Sequence, residues 1–224
     1  EDGNDNIACI DGYGSTISGG AGNDTVSGSN SNDLIYGGDG NDSLQGNWGS
    51  DTIYGGGGDD FLGNWRYAQG YFDGGDGNDT ISAGSTWGND TLIGGNGDDY
   101  LRNSGVSGND VMYGGNGRDT FYFGQSNYAD GDGMATKVMD FSHAEGDVLN
   151  FSDFNFGQPV DTATTTAFFN AFMAIAVTQV GSDTVIDMTK FKTGEYFHDQ
   201  HFNVTVTLVG VDKTTLQASD FKFA

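Results

Sequence analysis

The sequence predicts an all-β fold, a right-handed parallel β-roll (a β-solenoid) finished by a mixed, mostly β cap with one helix. Three observations carry this. A glycine- and aspartate-rich nonapeptide recurs in register, an apolar residue holds the same place in each copy, and the rhythm stops after Phe123. Repetition at a fixed period marks stacked architectures, in which each unit buries its apolar face only against its neighbours.

The frame begins at Gly19 as GGAGNDTVS. It returns as GGDGNDSLQ from Gly37, GGGGDDFLG from Gly55, GGDGNDTIS from Gly74, GGNGDDYLR from Gly94 and GGNGRDTFY from Gly114, and EDGNDNIA at the start is a truncated copy. The sixth position holds Asp5, Asp24, Asp42, Asp60, Asp79, Asp99 and Asp119, spaced by 18 to 20 residues. The eighth holds Ile7, Val26, Leu44, Leu62, Ile81, Leu101 and Phe121, all apolar. Weaker copies lie between, with Ile17, Ile35, Ile53, Phe72, Leu92 and Met112 as their apolar residues.

Each period therefore holds two half-turns, one strict and one divergent. Each half-turn is a glycine-rich loop followed by a short strand, and two half-turns make one coil of stacked parallel strands. The eighth residues point inward as two columns that fill a thin core. Glycine suits the loops because it takes positive φ and lets the backbone approach an ion. All strict loops fall on one edge, and all divergent loops on the other.

The 224 residues fit one large domain, or a repeat region with a cap. Asp and Glu number 32 against 8 Lys and Arg, a formal charge of −24. Such a chain should not bind nucleic-acid phosphates, should be repelled by an anionic membrane surface, and should attract cations. A glycine-rich polyanion would ordinarily read as disordered; the periodic apolar residues and 13% aromatic content argue against that. The single cysteine, Cys9, reads as a small packed side chain and forms no internal disulfide. No run of eighteen apolar residues is present to span a membrane, and no basic-then-apolar leader opens the chain. Glu1 falls inside a repeat, so a fragment of a longer protein or a processed product is expected.

The repeats over residues 1–122 resemble the repeats-in-toxin (RTX) family. That resemblance implies a β-roll with Ca²⁺ between successive loops on the strict edge, bound by sixth-position carboxylates and loop carbonyls. Carried over, the ligands are Asp5, Asp24, Asp42, Asp60, Asp79, Asp99 and Asp119, with roughly six ions in the gaps between loops. Calcium suits such hard oxygen ligands. A stack of carboxylates without cations would be prohibitive in any case, which argues for calcium independently. Polar turns alone need neither the Gly-Gly-x-Gly frame nor an aspartate in every coil.

On the divergent edge Asp33, Asp51, Asp90 and Asp110 hold the sixth position, but Ser15 and Gly70 replace it elsewhere. Ser29 and Ser31 stand where glycines are expected. Sites are compatible with the pairs Asp33–Asp51 and Asp90–Asp110 but not with the surroundings of Gly70, so calcium there should be sparse. Tyr13, Trp48, Trp65 with Tyr67, and Trp87 also lie in these loops. Coils about 4.8 Å apart would let such rings form a ladder. Two readings stay open: a ligand edge for sugar rings or a partner protein, or rings that pack on one another to steady loops lacking calcium. Arg66 beside them adds a cation–π alternative.

Residues 123–224 read as the cap that an open roll requires to cover its apolar end. Strands are expected over 136–141, 146–151, 183–188 and 202–209, and a helix over 164–177 with Asp161 or Thr162 at its start. Phe168, Phe172 and Ile175 would share one helix face, with Phe169, Met173 and Ala176 beside it. Segments such as EGDVLNF, DTVIDM and LQASDFKFA look like the C-terminal region of secreted RTX proteins. The resemblance implies an uncleaved C-terminal signal and type I secretion machinery as partner. Asp140, Asp147 and Asp187 are candidates for one more ion, or are surface turn residues.

No catalytic constellation appears. His143, His198 and His201 form no HExxH motif; GxSxG and a phosphate-binding loop are absent as well. The functional expectation is a secreted or cell-surface calcium-binding domain, folded by calcium outside the cell, with a structural or adhesive role. Alternatives are a carrier module for a secreted protease, lipase or polysaccharide epimerase, or a glycan-binding module using the aromatic edge.

Overall fold

The structure, a computed structural model, describes residues 2–9, 12–64, 69–84, 88–103, 108–124, 134–154, 162–190 and 204–223, with backbone only over 162–165. Two sheets face one another along a roll. Strict loops lead into short strands such as Thr25–Ser27, Ser43–Gln45, Phe61–Gly63 and Thr80–Ala83 of one sheet. Divergent loops lead into longer strands, Thr16–Ala21, Leu34–Asp39, Thr52–Gly57, Tyr71–Asp76, Thr91–Asn96 and Gly108–Asn116, of the other. Neighbouring strands within each sheet pair in parallel through this region.

The pairing register places eighth-position residues in line. Val26 pairs with Leu44, Leu44 with Leu62, Leu62 with Ile81 and Ile81 with Leu101. On the facing sheet Ile35 pairs with Ile53, Ile53 with Phe72, Phe72 with Leu92 and Leu92 with Met112. All of these are fully buried. Period-two alternation aims every second side chain into the narrow space between the sheets, which is why two columns suffice for a core.

The sheets continue where the glycine rhythm ends. Met134–Val138 adds in parallel to Gly108–Asn116, and Val204–Leu208 adds to it in turn. Val148–Phe151 follows Thr120–Phe123, and Phe221–Phe223 follows that. The expected strands over 136–141, 146–151, 183–188 and 202–209 are present with shifted ends, as Met134–Val138, Val148–Phe151, Asp183–Asp187 and Val204–Leu208. Residues after Phe123 thus extend the stack before they close it.

The helix spans Thr162–Ile175, two residues earlier than its spacing predicts. Val177–Val180 is instead a strand, paired antiparallel with Asp183–Asp187. Gly181, at φ +65, turns this hairpin after β-branched residues that favour a strand. The burial pattern is also displaced: Phe172 and, just past the helix end, Ala176 are fully buried, while Ile175 is 48% exposed. Phe172 stacks edge-on against Phe221 and Phe223, with ring centroids 5.4 and 5.1 Å apart, and so pins the last strand. Phe172→Ala should cost about 3–5 kcal/mol of stability in calcium, read by denaturant melting. A loss below about 1 kcal/mol would show that the helix does not support the roll.

Candidate metal centre

The loop Gly55–Asp60 shows how the strict edge is built. Strand Thr52–Gly57 delivers Gly55 and Gly56, and strand Phe61–Gly63 begins immediately after Asp60. Gly56 and Gly58 both adopt φ +119. The second and fourth positions of every strict loop from Gly20 to Gly117 share this left-handed backbone.

A ladder links the sixth positions. The Asp42 N–H donates to Asp60 Oδ1 at 2.7 Å, Asp60 N–H to Asp79 Oδ1 at 2.8 Å, and Asp79 N–H to Asp99 Oδ1 at 2.7 Å. The same bond joins Asp5 to Asp24, Asp24 to Asp42 and Asp99 to Asp119, at 2.7 to 3.0 Å. One oxygen of each carboxylate therefore ties two coils together.

The other oxygen has no such partner. Oδ2 of Asp24, Asp42, Asp60, Asp79, Asp99 and Asp119 is buried without a hydrogen bond. Each lies against the first glycine of its own loop. A methyl group on Gly55 would overlap Asp60 Oδ2 and stand 2.5 Å from the carbonyl oxygen of Gly74, in the next coil. Gly37, Gly74 and Gly94 repeat the arrangement with the carbonyls of Gly55, Gly94 and Gly114. A buried carboxylate oxygen and a carbonyl thus share a space with no donor between them. Two acceptors facing one another call for a cation, and hard oxygens in a backbone cradle suit calcium. Among the described residues no three carboxylates, imidazoles or thiolates converge as a metal cluster; a cation in this space would meet a loop carboxylate and backbone carbonyl oxygen.

The electrostatics agree. Burial pushes the Asp60 and Asp99 carboxyls up to about 7 and those of Asp79 and Asp119 up to about 6; neighbouring aspartates add to the rise, while the ladder N–H opposes it. Asp42 is raised by the same burial. Coils about 4.8 Å apart set neighbouring charges against each other by roughly 3 kcal/mol at an effective dielectric of about 20.

The stack has a further rung that the nonapeptide frame does not display. The Asp119 N–H donates to Asp147 Oδ1 at 2.9 Å, and the Ser142 N–H donates to Asp147 Oδ2 at 2.7 Å. Its only sequence signal is Asp147 followed two residues later by Leu149, in a copy that has lost its leading glycines. Asp140 accepts the N–H groups of Gly114 and Gly115, at 2.9 and 3.0 Å. Asp187 accepts from the N–H and hydroxyl of Thr189. Asp140 lies near enough to Asp147 to raise its carboxyl, but among the described residues the three aspartates form no cluster around one ion.

On the divergent edge Asp33, Asp51, Asp90 and Asp110 are buried like their strict counterparts. Ser15, Asp33, Gly70 and Asp90 donate their N–H groups to Oδ1 of Asp33, Asp51, Asp90 and Asp110, at 2.7 to 2.8 Å. The ladder breaks between Asp51 and Asp90, because Gly70 offers no carboxylate to the coil before it. Tyr13 is 83% exposed and Trp48 50%; Trp65, Tyr67 and Trp87 lie outside the described residues. Among the described residues, stacked rings occur on the outer face of the longer-stranded sheet, where Tyr36 and Tyr54 lie 5.2 Å apart and nearly parallel. Both close their nonapeptides at the ninth position, which is the signal for that ladder. His143 Nδ1 lies 2.6 Å from Asp220 Oδ1, and His198, Asp199 and His201 fall outside the described residues.

The RTX calcium-binding nonapeptide repeat model matches residues 11–44, 27–62, 71–86, 85–102 and 104–128. No curated protein matches as a relative. A solved subunit of the mannuronan C5-epimerase of Azotobacter vinelandii is similar at 22% identity and a TM-score of 0.37, over 88% of this chain and 81% of that one. The extracellular lipase LipA of Serratia marcescens is similar at 18% identity and a TM-score of 0.22, over 91% of this chain. This chain spans 40% of the lipase. Nonapeptides in register, a parallel roll and a file of buried, unpartnered carboxylate oxygens agree with the family match: by its repeats, the chain belongs to the RTX calcium-binding nonapeptide-repeat family.

Proposed function

We propose that this chain is a secreted or cell-surface module, exported by type I machinery as an expanded polyanion and folded by calcium outside the cell. In this reading its role is structural and adhesive. The observation that carries it is the row of buried Oδ2 atoms on the strict edge, a charge arrangement that is stable only with cations in place. Binding free energy then becomes folding free energy. The millimolar calcium outside cells suits modules of this affinity class. Exposed Tyr36, Tyr113, Tyr13 and Trp48 supply apolar surface for adhesion.

A calcium titration followed by circular dichroism tests the ligand assignment and the extracellular switch together. The full chain should gain β structure steeply, with a midpoint on the order of 0.1–1 mM, and magnesium should not replace calcium. Asp60→Asn, in the middle of the stack, should raise the midpoint several-fold and flatten the transition. An unchanged midpoint would remove Asp60 from the ligand set. A sub-micromolar midpoint would rule out a switch that distinguishes outside from inside.

A further inference from the structure

The two edges treat the same carboxylate differently, and the difference tracks the loop backbone. Strict loops have positive φ at their second and fourth positions, and their Oδ2 atoms lack partners. In the divergent loop Gly28–Asp33 those positions are Ser29 and Ser31, and neither takes positive φ. There the Ser29 N–H donates to Asp33 Oδ2 at 2.6 Å, and the Ser29 hydroxyl donates to Oδ1 at 3.2 Å. A backbone donor thus occupies the place that the strict edge leaves to a cation.

Asp110 reaches the same end by another route. The strand register sets Asn103 in line with Ala83, two coils on from Gly46, the leading glycine of its own loop. Its fully buried side chain fills the space that glycine keeps open, and Nδ2 donates to Asp110 Oδ2 at 2.6 Å and to Thr136 Oγ1 at 3.0 Å.

The loop Gly46–Asp51 differs from both. Asn47 takes φ +70, the one non-glycine residue with positive φ among the described residues, and Gly49 takes φ +121. Asn47 Nδ2 donates to Ser27 Oγ at 2.9 Å and to Gly28 O at 2.7 Å, which holds this unusual backbone in place. The second and fourth positions thereby share the positive φ of the strict loops. Asp51 Oδ2 recovers the strict condition with it: the residue is 1% exposed and this oxygen has no hydrogen-bond partner. Asn64, from the next coil, donates to Gly49 O at 3.2 Å and also hydrogen-bonds toward the Asp51 carboxyl, which partly offsets the rise that burial gives it, while Oδ2 itself stays without a partner.

We propose that the divergent edge is neutralised largely by the protein itself, with N–H donors standing in for cations at Asp33 and Asp110, while Asp51 alone of these three carries a calcium ion. This rests on the reading of the strict-edge aspartates as calcium ligands. Between Asp33 and Asp51 loop conformation decides the outcome: the left-handed Asn47 withholds its N–H from Oδ2, and Ser29, without positive φ, supplies it.

Trp48, three residues before Asp51, provides the readout. Terbium added to the full chain should luminesce when excited through tryptophan. Asp51→Asn and Trp48→Phe should each remove most of that emission, and Asp33→Asn should leave it in place. In a second arm, Ser29→Gly combined with Ser31→Gly turns the loop into GGNGND. Equilibrium dialysis should then count one more bound calcium per chain. Emission that survives Asp51→Asn, or a calcium count unchanged in the double variant, overturns the inference while calcium-induced β structure still supports the proposed function. A wild-type chain that gains no β structure with calcium overturns both.

Discussion

Chelation of calcium at neutral pH is expected to unfold the roll as a unit, and acid is expected to restore part of it. The buried aspartates of the strict edge would otherwise face one another with neither donor nor counter-ion on Oδ2. Their carboxyls stand above the ordinary aspartate value in the fold, Asp60 and Asp99 at about 7 and Asp79 and Asp119 at about 6. A raised folded-state pKa means that the calcium-free fold binds more protons than the unfolded chain. Its stability contribution is complete below the unfolded value and is lost as pH rises through the folded one. In chelator, β structure should therefore increase as pH falls from about 7.5 to about 5. In calcium the same change should weaken binding, because protons compete for the same oxygens. Circular dichroism over a grid of pH and calcium reads both effects. A calcium-free chain that loses β structure on acidification would mean that the carboxylate file is not what opposes folding.

Gly56→Ala should cost more than about 3 kcal/mol, while Gly57→Ala, one residue on, should be nearly silent. Gly56 is at φ +119, which L-residues rarely adopt, and a methyl group there would overlap the carbonyl oxygen of Gly38 in the preceding coil. That contact cannot relax alone, because the backbone on both sides is held by parallel pairing, with Gly56 opposite Gly38 and Gly75. At Gly57 the nearest atom to such a methyl is Asp39 Oδ1 at 3.9 Å, and φ is not positive. Denaturant melts of the two variants in saturating calcium make the comparison. Equal losses would show that glycine serves mainly to loosen the unfolded chain; a large loss at Gly56 alone would show that coil spacing is set by backbone touching backbone.

The repeat itself determined the roll, its two edges, both inward columns and the strict-edge aspartates. Those properties are local: period two aims Leu44 and Leu62 inward, and GGxGxD dictates a loop wherever it occurs. Tertiary structure decided the rest. Asp147 joins the carboxylate file because the coil beneath it offers an N–H at the required height, although its own loop has lost the leading glycines. Val177 leaves the helix because a hairpin closing at Gly181 gives that segment a strand partner. Ile175 points outward and Ala176 inward because the helix docks on Phe221 and Phe223, which lie far away in the chain. On the divergent edge Asp33 and Asp51 look alike in sequence. Only the backbone of Ser29 and Asn47, each held by bonds to the coil before it, distinguishes an oxygen already satisfied from one left for an ion.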